Sequence, residues 1–383
     1  MVAGCGKPDE GRAVDKFLKQ HWQEPVPAQG MPNPQWPALE ASLAPEACGT
    51  CHLDQLHDWQ TALHSRTMGP GIRWQFDKLG QAESNRCLRC HAPLAEQKAL
   101  LAREKSWPNA PSGDPPAYVG ENLHRHGLVC AACHVRAHVR YGPPATSPPI
   151  AGAPHGGFVP AAAFKDSRFC AHCHQFDEDG PRLAGKLRED TYAQWRESAY
   201  APQQTCQSCH MPERRHLWRG IHDAEMVRQG LGAEIRLTSL QQGRYLATVT
   251  VRNKGAGHHL PTYLVPKITL VLRLKASGRT DVEIARDVIG WKADLNMQSE
   301  EFDTRLMAGE TRNYHHELKQ PSGKDGWHVE LSVEVDPAEH YIRMFRYSLA
   351  NVSLTAADRL LLRDSIAEAE AARFTAMKVT AMP

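Results

Sequence analysis

The sequence predicts a mainly α and irregular domain organised around covalently bound groups, followed by a C-terminal antiparallel β-sandwich and a terminal helix. Three observations carry this. Five Cys-x-x-Cys-His motifs fall between residues 48 and 210, a proline-rich arm precedes them, and from about residue 233 apolar residues recur with period two. At 383 residues the chain is long enough for several domains. The expected boundaries are 1–46 for the arm, 47–230 for the motif-bearing domain, 231–336 for the sandwich and 337–383 for a helical segment packing back on the motif domain.

The motifs are Cys48-Gly-Thr-Cys51-His52, Cys87-Leu-Arg-Cys90-His91, Cys130-Ala-Ala-Cys133-His134, Cys170-Ala-His-Cys173-His174 and Cys206-Gln-Ser-Cys209-His210. They absorb ten of eleven cysteines, where composition alone predicts about 0.02 such motifs. Two thiols that add to the vinyl groups of a haem, followed at once by an imidazole beneath the iron, require this spacing. Zinc sites and disulfides are the rivals. Five pairs do not divide evenly among four-cysteine zinc sites, and neither rival explains a histidine after every pair. The expectation is five covalent haem c groups, with His52, His91, His134, His174 and His210 as proximal iron ligands.

The arm from 22 to 47 holds Pro25, Pro27, Pro32, Pro34, Pro37 and Pro45 and reads as extended chain. First cysteines then recur at spacings of 39, 43, 40 and 36 residues, one per small helical unit. Such density leaves little room for an ordinary apolar core, so the first domain is expected to be haem-dominated. Asp58-Trp59-Gln60-Thr61-Ala62-Leu63-His64 is echoed by Gln194-Trp195-Arg196-Glu197-Ser198-Ala199-Tyr200, with Tyr200 in the place of His64.

In the second half, Tyr245, Ala247, Val249 and Val251 alternate with more polar residues, as do Ile268, Leu270, Leu272 and Leu274, and Trp327, Val329, Leu331, Val333 and Val335. One polar face per strand indicates a half-buried antiparallel sheet. After Pro337 the pattern returns to helix, with a capping box at Thr355-Ala-Ala-Asp358.

The formal charge is +2. Ten propionates and five ferric centres would bring it to about −3, and nothing indicates nucleic acid. Arg86, Arg89, Arg136, Arg214 and Arg215 stand beside motifs as propionate partners. No run of about 18 apolar residues occurs. Haem attachment of this type takes place outside the cytoplasm, so the expected location is the periplasm or an outer-membrane or cell-surface lipoprotein. Val2-Ala3-Gly4-Cys5 resembles a lipobox and makes Cys5 a lipidation candidate.

Residues 48–64 resemble the first haem unit of the cytochrome c-554-like multihaem cytochromes. Cys206 to Pro212, followed by His216-Leu-Trp-Arg-Gly-Ile-His222-Asp, is similar to the final haem unit of relatives bordering on the hydroxylamine oxidoreductase and nitrite reductase group. Gly255-Ala-Gly-His258-His259-Leu-Pro-Thr262 resembles the loop joining such domains to an appended β-domain. The resemblance spans roughly residues 47–350 and speaks to haem architecture more than to a reaction.

Sixteen histidines remain for the distal iron positions. His64 lies too near its own motif to return to that iron and suits a neighbouring one. His216 and His222 flank a Trp-Arg-Gly turn and match the related pattern. His258 sits in a glycine-rich loop open to close approach, with His259 as fallback, and His340 stands near a helix start. His126 and His138 bracket the third motif with weaker claims, His328 and His172 have none, and Met211 adjoins His210 and cannot cap the same iron. Bis-histidine ligation and electron transfer to redox partner proteins are the leading expectation. An enzyme acting on a small nitrogen or sulfur compound at one open iron is the alternative. Five-haem nitrite reductases use a motif lysine that is lacking here, and hydroxylamine-oxidising relatives use a crosslinked tyrosine, for which Tyr200 is the candidate. A docking subunit of an outer-membrane conduit is the third reading.

Overall fold

In the computed structural model, residues 8–145, 152–322 and 326–383 are described, with side chains from residue 11 onward. Cys5 lies outside the described residues. The chain divides into two compact units, one comprising 1–173 and 204–218, the other 174–203 and 219–383.

The first unit is helical and irregular. Its longer helices are α1 (Pro8–His21), α2 (Leu53–Thr61), α3 (Phe76–His91) and α4 (Ala95–Glu104). Helix α1 was not anticipated from the sequence. It presents Val14, Phe17, Leu18 and His21 at helical spacing, and Val14 packs with Trp22, Ala163 and Phe169 in a small cluster. The proline-rich stretch after it has little regular structure, as expected, yet it is not free chain. Val26 and Leu43 are buried among Trp59, Leu94 and Val129, and the Gln29 amide donates to Glu96 Oε1 at 2.7 Å. Among the described residues the apolar core of this unit is divided into three clusters, around Leu43, Phe76 and Phe169.

The second unit contains the sandwich. Its strands are β1 (Leu231–Ser239), β2 (Arg244–Asn253), β3 (Lys267–Ala276), β4 (Val282–Ala293), β5 (Glu300–Asp303), β6 (Thr311–Lys319), β7 (Trp327–Asp336) and β8 (Phe374–Ala381). A three-stranded antiparallel sheet runs β6-β2-β1, and a five-stranded one runs β5-β4-β3-β7-β8. Ala247, Val249 and Val251 from the small sheet meet Ile268, Leu270, Leu272, Val329, Leu331, Val333 and Val335 from the large one in a single core. These are the residues whose period-two spacing predicted the strands.

Helices α5 (Glu339–Asn351) and α6 (Ala356–Ala371) follow, the latter with the expected capping box: Asp358 N donates to Thr355 Oγ1, and Asp358 Oδ2 accepts from Thr355 N. The terminal segment then departs from expectation. Instead of remaining helical to 383, the chain forms β8 along β7, pairing Val333 with Met377 and Leu331 with Val379. The reason is tertiary. β7 has a free edge opposite β3, and Thr375, Val379 and Thr380 are β-branched residues that fit a pleated partner.

Candidate functional site

Each motif is held on one short turn of helix. The second ends α3, the third is the turn Cys130–His134, the fourth ends Arg168–His174, and the fifth is Cys206–His210, whose N-cap Thr205 accepts from Ser208 N. The first begins in Pro45–Gly49. One turn puts residues i and i+3 on the same side, so both thiols and the following imidazole face a common region. None of the ten motif cysteines is in a disulfide.

Thiols of different motifs touch. Cys48 hydrogen-bonds with Cys130, Cys90 with Cys173, and Cys170 with Cys206, while Cys133 lies close enough to raise Cys170 and Cys173 electrostatically. The five motifs therefore form one contiguous array. Within it, the hydrogen bond from Cys170 draws Cys206 down to about 7, and burial pushes Cys133 up to about 11.

The imidazoles are oriented by backbone. His91 Nδ1 lies 2.8 Å from the Thr67 carbonyl and His134 Nδ1 lies 2.7 Å from that of Tyr141. A carbonyl can only accept, so Nδ1 carries the proton and Nε2 keeps a lone pair for a metal. Burial lowers both rings, His134 to about 4, which keeps them neutral. His174 differs, with its Nδ1 4.0 Å from the Glu189 carboxylate, whose own pKa burial pushes up. The segment carrying Glu189 is anchored within the second unit. Trp291 packs with Leu183 and Leu264, and the cationic ends of Lys186 and Arg305 lie 4.9 and 4.2 Å from its ring centroid.

Among the distal candidates, His64 and His216 come together in the first unit on either side of Trp218, at ring-centroid distances of 4.7 and 5.1 Å. The His216 ring is also 6.2 Å from that of His134, and its Nδ1 donates to the Arg214 carbonyl at 2.9 Å, the arrangement seen at the motif histidines. Asp58 on α2 holds this segment by accepting from Arg215 Nε and Nη2 at 2.7 and 2.6 Å and from His216 N at 2.9 Å. In the second unit His258 Nδ1 donates to the His259 carbonyl at 2.8 Å, burial lowers His222 to about 4, and His340 is fully buried with no partner at Nε2. The glycines before His258 serve chain packing: a Cβ at Gly257 would press on Trp195 and Tyr200 at 3.2 Å, and one at Gly255 would strike the Gln229 carbonyl. The Tyr200 hydroxyl donates to the Lys254 carbonyl at 2.8 Å.

The weaker candidates have other occupations. His126 faces Glu46 at 3.7 Å, His138 Nε2 donates to the Gly30 carbonyl at 2.9 Å, and His172 stacks on Trp22 at 4.7 Å. Of the arginines, Arg86 pairs with Glu83, Arg89 with Glu24 and Arg215 with Asp58. Arg136 is buried and its Nη2 has no partner, which suits a carboxylate such as a propionate. Two histidines escaped sequence reasoning. His155 donates from Nδ1 to the Gly157 carbonyl at 2.9 Å and lies near enough to depress His52. His21 is buried with neither ring nitrogen hydrogen-bonded; its place on the apolar stripe of α1 was the available signal. Thiol pairs, proton-fixed imidazoles and a buried guanidinium with one idle nitrogen together fit covalently attached haem. No three metal-binding side chains converge among the described residues as a bare-ion site would require.

Comparison with solved structures finds a pentahaem cytochrome c552 from Thermochromatium tepidum, similar with a TM-score of 0.62 at 17% identity over 90% of this chain and all of that one. The likeness establishes a shared fold. A structural-genomics target, SoR45, has a TM-score of 0.17 over 28% of this chain and 72% of its own, at 10% identity. No family model and no curated protein matches the chain.

Proposed function

We propose that this chain carries five covalently attached c-type haems and transfers electrons through them. The observation that carries the reading is the contact between thiols of different motifs, which makes the five attachment points a contiguous array rather than separate sites. The fold shared with a pentahaem cytochrome c552 supports it. Each bound haem would supply one-electron exchange at a potential set by its axial ligands, burial and surrounding hydrogen bonds.

The protein's part is binding and orientation. Cys48, Cys51, Cys87, Cys90, Cys130, Cys133, Cys170, Cys173, Cys206 and Cys209 form the thioether links, and His52, His91, His134, His174 and His210 are the proximal ligands. Thr67 and Tyr141 fix the proton on Nδ1 at two of them. His64, His216, His222, His258 and His340 remain the distal candidates. His216, whose ring lies 6.2 Å from that of His134, would help hold a haem in this part of the array. Arg136 is positioned to hold a propionate.

The setting is extracytoplasmic, with redox proteins as partners and Cys5 as a possible lipid anchor. No described helix is long and apolar enough to cross a membrane. An enzyme with one open iron is the second reading, and the Glu189 carboxylate beside His174 favours it. A carboxylate near a proximal imidazole raises its basicity electrostatically, here at 4.0 Å without a hydrogen bond. Intact mass of the native protein tests haem number, with five haem additions expected. Electron paramagnetic resonance of the oxidised protein then separates the readings. Five low-spin centres support the carrier, and a high-spin centre supports the enzyme.

A further inference from the structure

His21, at the C-terminus of α1, is 2% exposed, and neither Nδ1 nor Nε2 has a hydrogen-bond partner. Buried polar groups are almost always paired, because an unpaired one forfeits its hydration for nothing. The other buried histidines among the described residues each have one ring nitrogen paired. His124 Nε2 meets Glu104 at 2.8 Å, His138 Nε2 meets the Gly30 carbonyl, and His340 Nδ1 lies 3.3 Å from Arg343. His21 alone leaves both nitrogens idle.

Its surroundings are aromatic. Phe17, Trp22, Tyr141, Phe164 and Phe169 have ring centroids 4.9 to 6.2 Å away, a wall that excludes water as a partner. The backbone at this point is tied to the motif array, since Arg136 Nε donates to the His21 carbonyl at 2.6 Å. The Cys133 backbone approaches the ring and raises it, against the stronger lowering by burial. Tyr141, whose carbonyl fixes His134, is a neighbour on one side, and Phe169, next to Cys170, is a neighbour on the other. His21 therefore stands at the junction of the third and fourth motifs.

We propose that His21 is an axial ligand to a haem iron attached at the third or the fourth motif, supplied by the N-terminal helix rather than by any segment between or after the motifs. This rests on the haem reading above. A metal is the one partner that accounts for a neutral imidazole held in an apolar cage beside two attachment sites. Helix α1 then has a task beyond packing: its stripe of Val14, Phe17 and Leu18 aims the ligand.

The test uses native, haem-loaded protein bearing His21→Ala or His21→Met, with His124→Ala as a control. Intact mass is measured first; wild-type protein without haem additions overturns the haem reading itself. With five haems present, His21→Ala is expected to convert one low-spin signal in five to high-spin, and added imidazole to restore it, while His124→Ala changes neither. Should His21→Ala fail to accumulate, His21→Met decides: a histidine–methionine pair stays low-spin, and one haem potential rises. Unchanged spin states in His21→Ala, or a potential shift without a spin change, overturn the assignment, as does an unmoved set of potentials in His21→Met.

Discussion

Removing the Asp58 carboxylate isolates what holds His216 in place. The carboxylate, 5% exposed, accepts three hydrogen bonds, two from Arg215 and one from the backbone of His216. The Arg215 side chain is 54% exposed, so the ion pair is screened by water and contributes little. The amide bond to a buried carboxylate is different: charge-assisted bonds are worth about 1.5–3 kcal/mol, and its loss strands an N–H. Asp58→Ala should therefore cost about 2 kcal/mol, roughly thirtyfold in the equilibrium that keeps His216 seated. For a unit of this size that is about 4–8 °C in Tm. Asp58→Asn keeps an acceptor for the amide and should cost under about 1 kcal/mol. The measurements are a melt followed by haem-region circular dichroism and the high-spin fraction by electron paramagnetic resonance. Equal damage from Asn and Ala would refute the reasoning, because the ion pair and not the amide bond would then be the clasp. Acid gives a second handle. Hydrogen bonds from Arg215 hold Asp58 below the usual carboxylate range, so its contribution is complete above about pH 4 and fades as pH falls through the depressed value.

Three further outcomes are expected. Leu331→Ala, in the fully buried sandwich core, should destabilise the second unit by about 2–5 kcal/mol in chemical denaturation, with haem content unchanged. Burial alone would raise Asp303, but hydrogen bonds from Arg305 and Lys186 bring it to about 2; the second unit should lose about 2 kcal/mol as pH falls from about 4 through 2, a loss absent in Asp303→Asn. Glu189→Gln should raise one haem potential in a spectroelectrochemical titration, each tenfold of lost oxidised-state preference appearing as about 60 mV.

The motif helices and the sandwich were legible because their signals are local. A Cys-x-x-Cys-His turn needs no partner to be read, and the Trp327–Val335 alternation names its own buried face. β8 was not legible, since Phe374, Ala376, Lys378 and Thr380 against Thr375, Met377 and Val379 present no apolar side; only the waiting edge of β7 makes it a strand. His216 was legible from its pattern, but its support was not, because Asp58 lies 158 residues away in sequence. His21 was missed for a related reason: a ligand outside any motif carries no spacing to recognise, and only the absence of hydrogen-bond partners around a buried ring marks it.

Strand β8 also imposes an order of events. β7 cannot complete its ladder until Phe374–Ala381 has been made, so the sandwich passes through a stage with one long apolar strand bare along its rim. That stage is the moment of greatest risk of strand-to-strand association between chains. Deleting Phe374–Ala381 would make the risk permanent. An insertion directly behind residue 381 would burden the same seam, and one within α1 carries a separate hazard, a displaced His21.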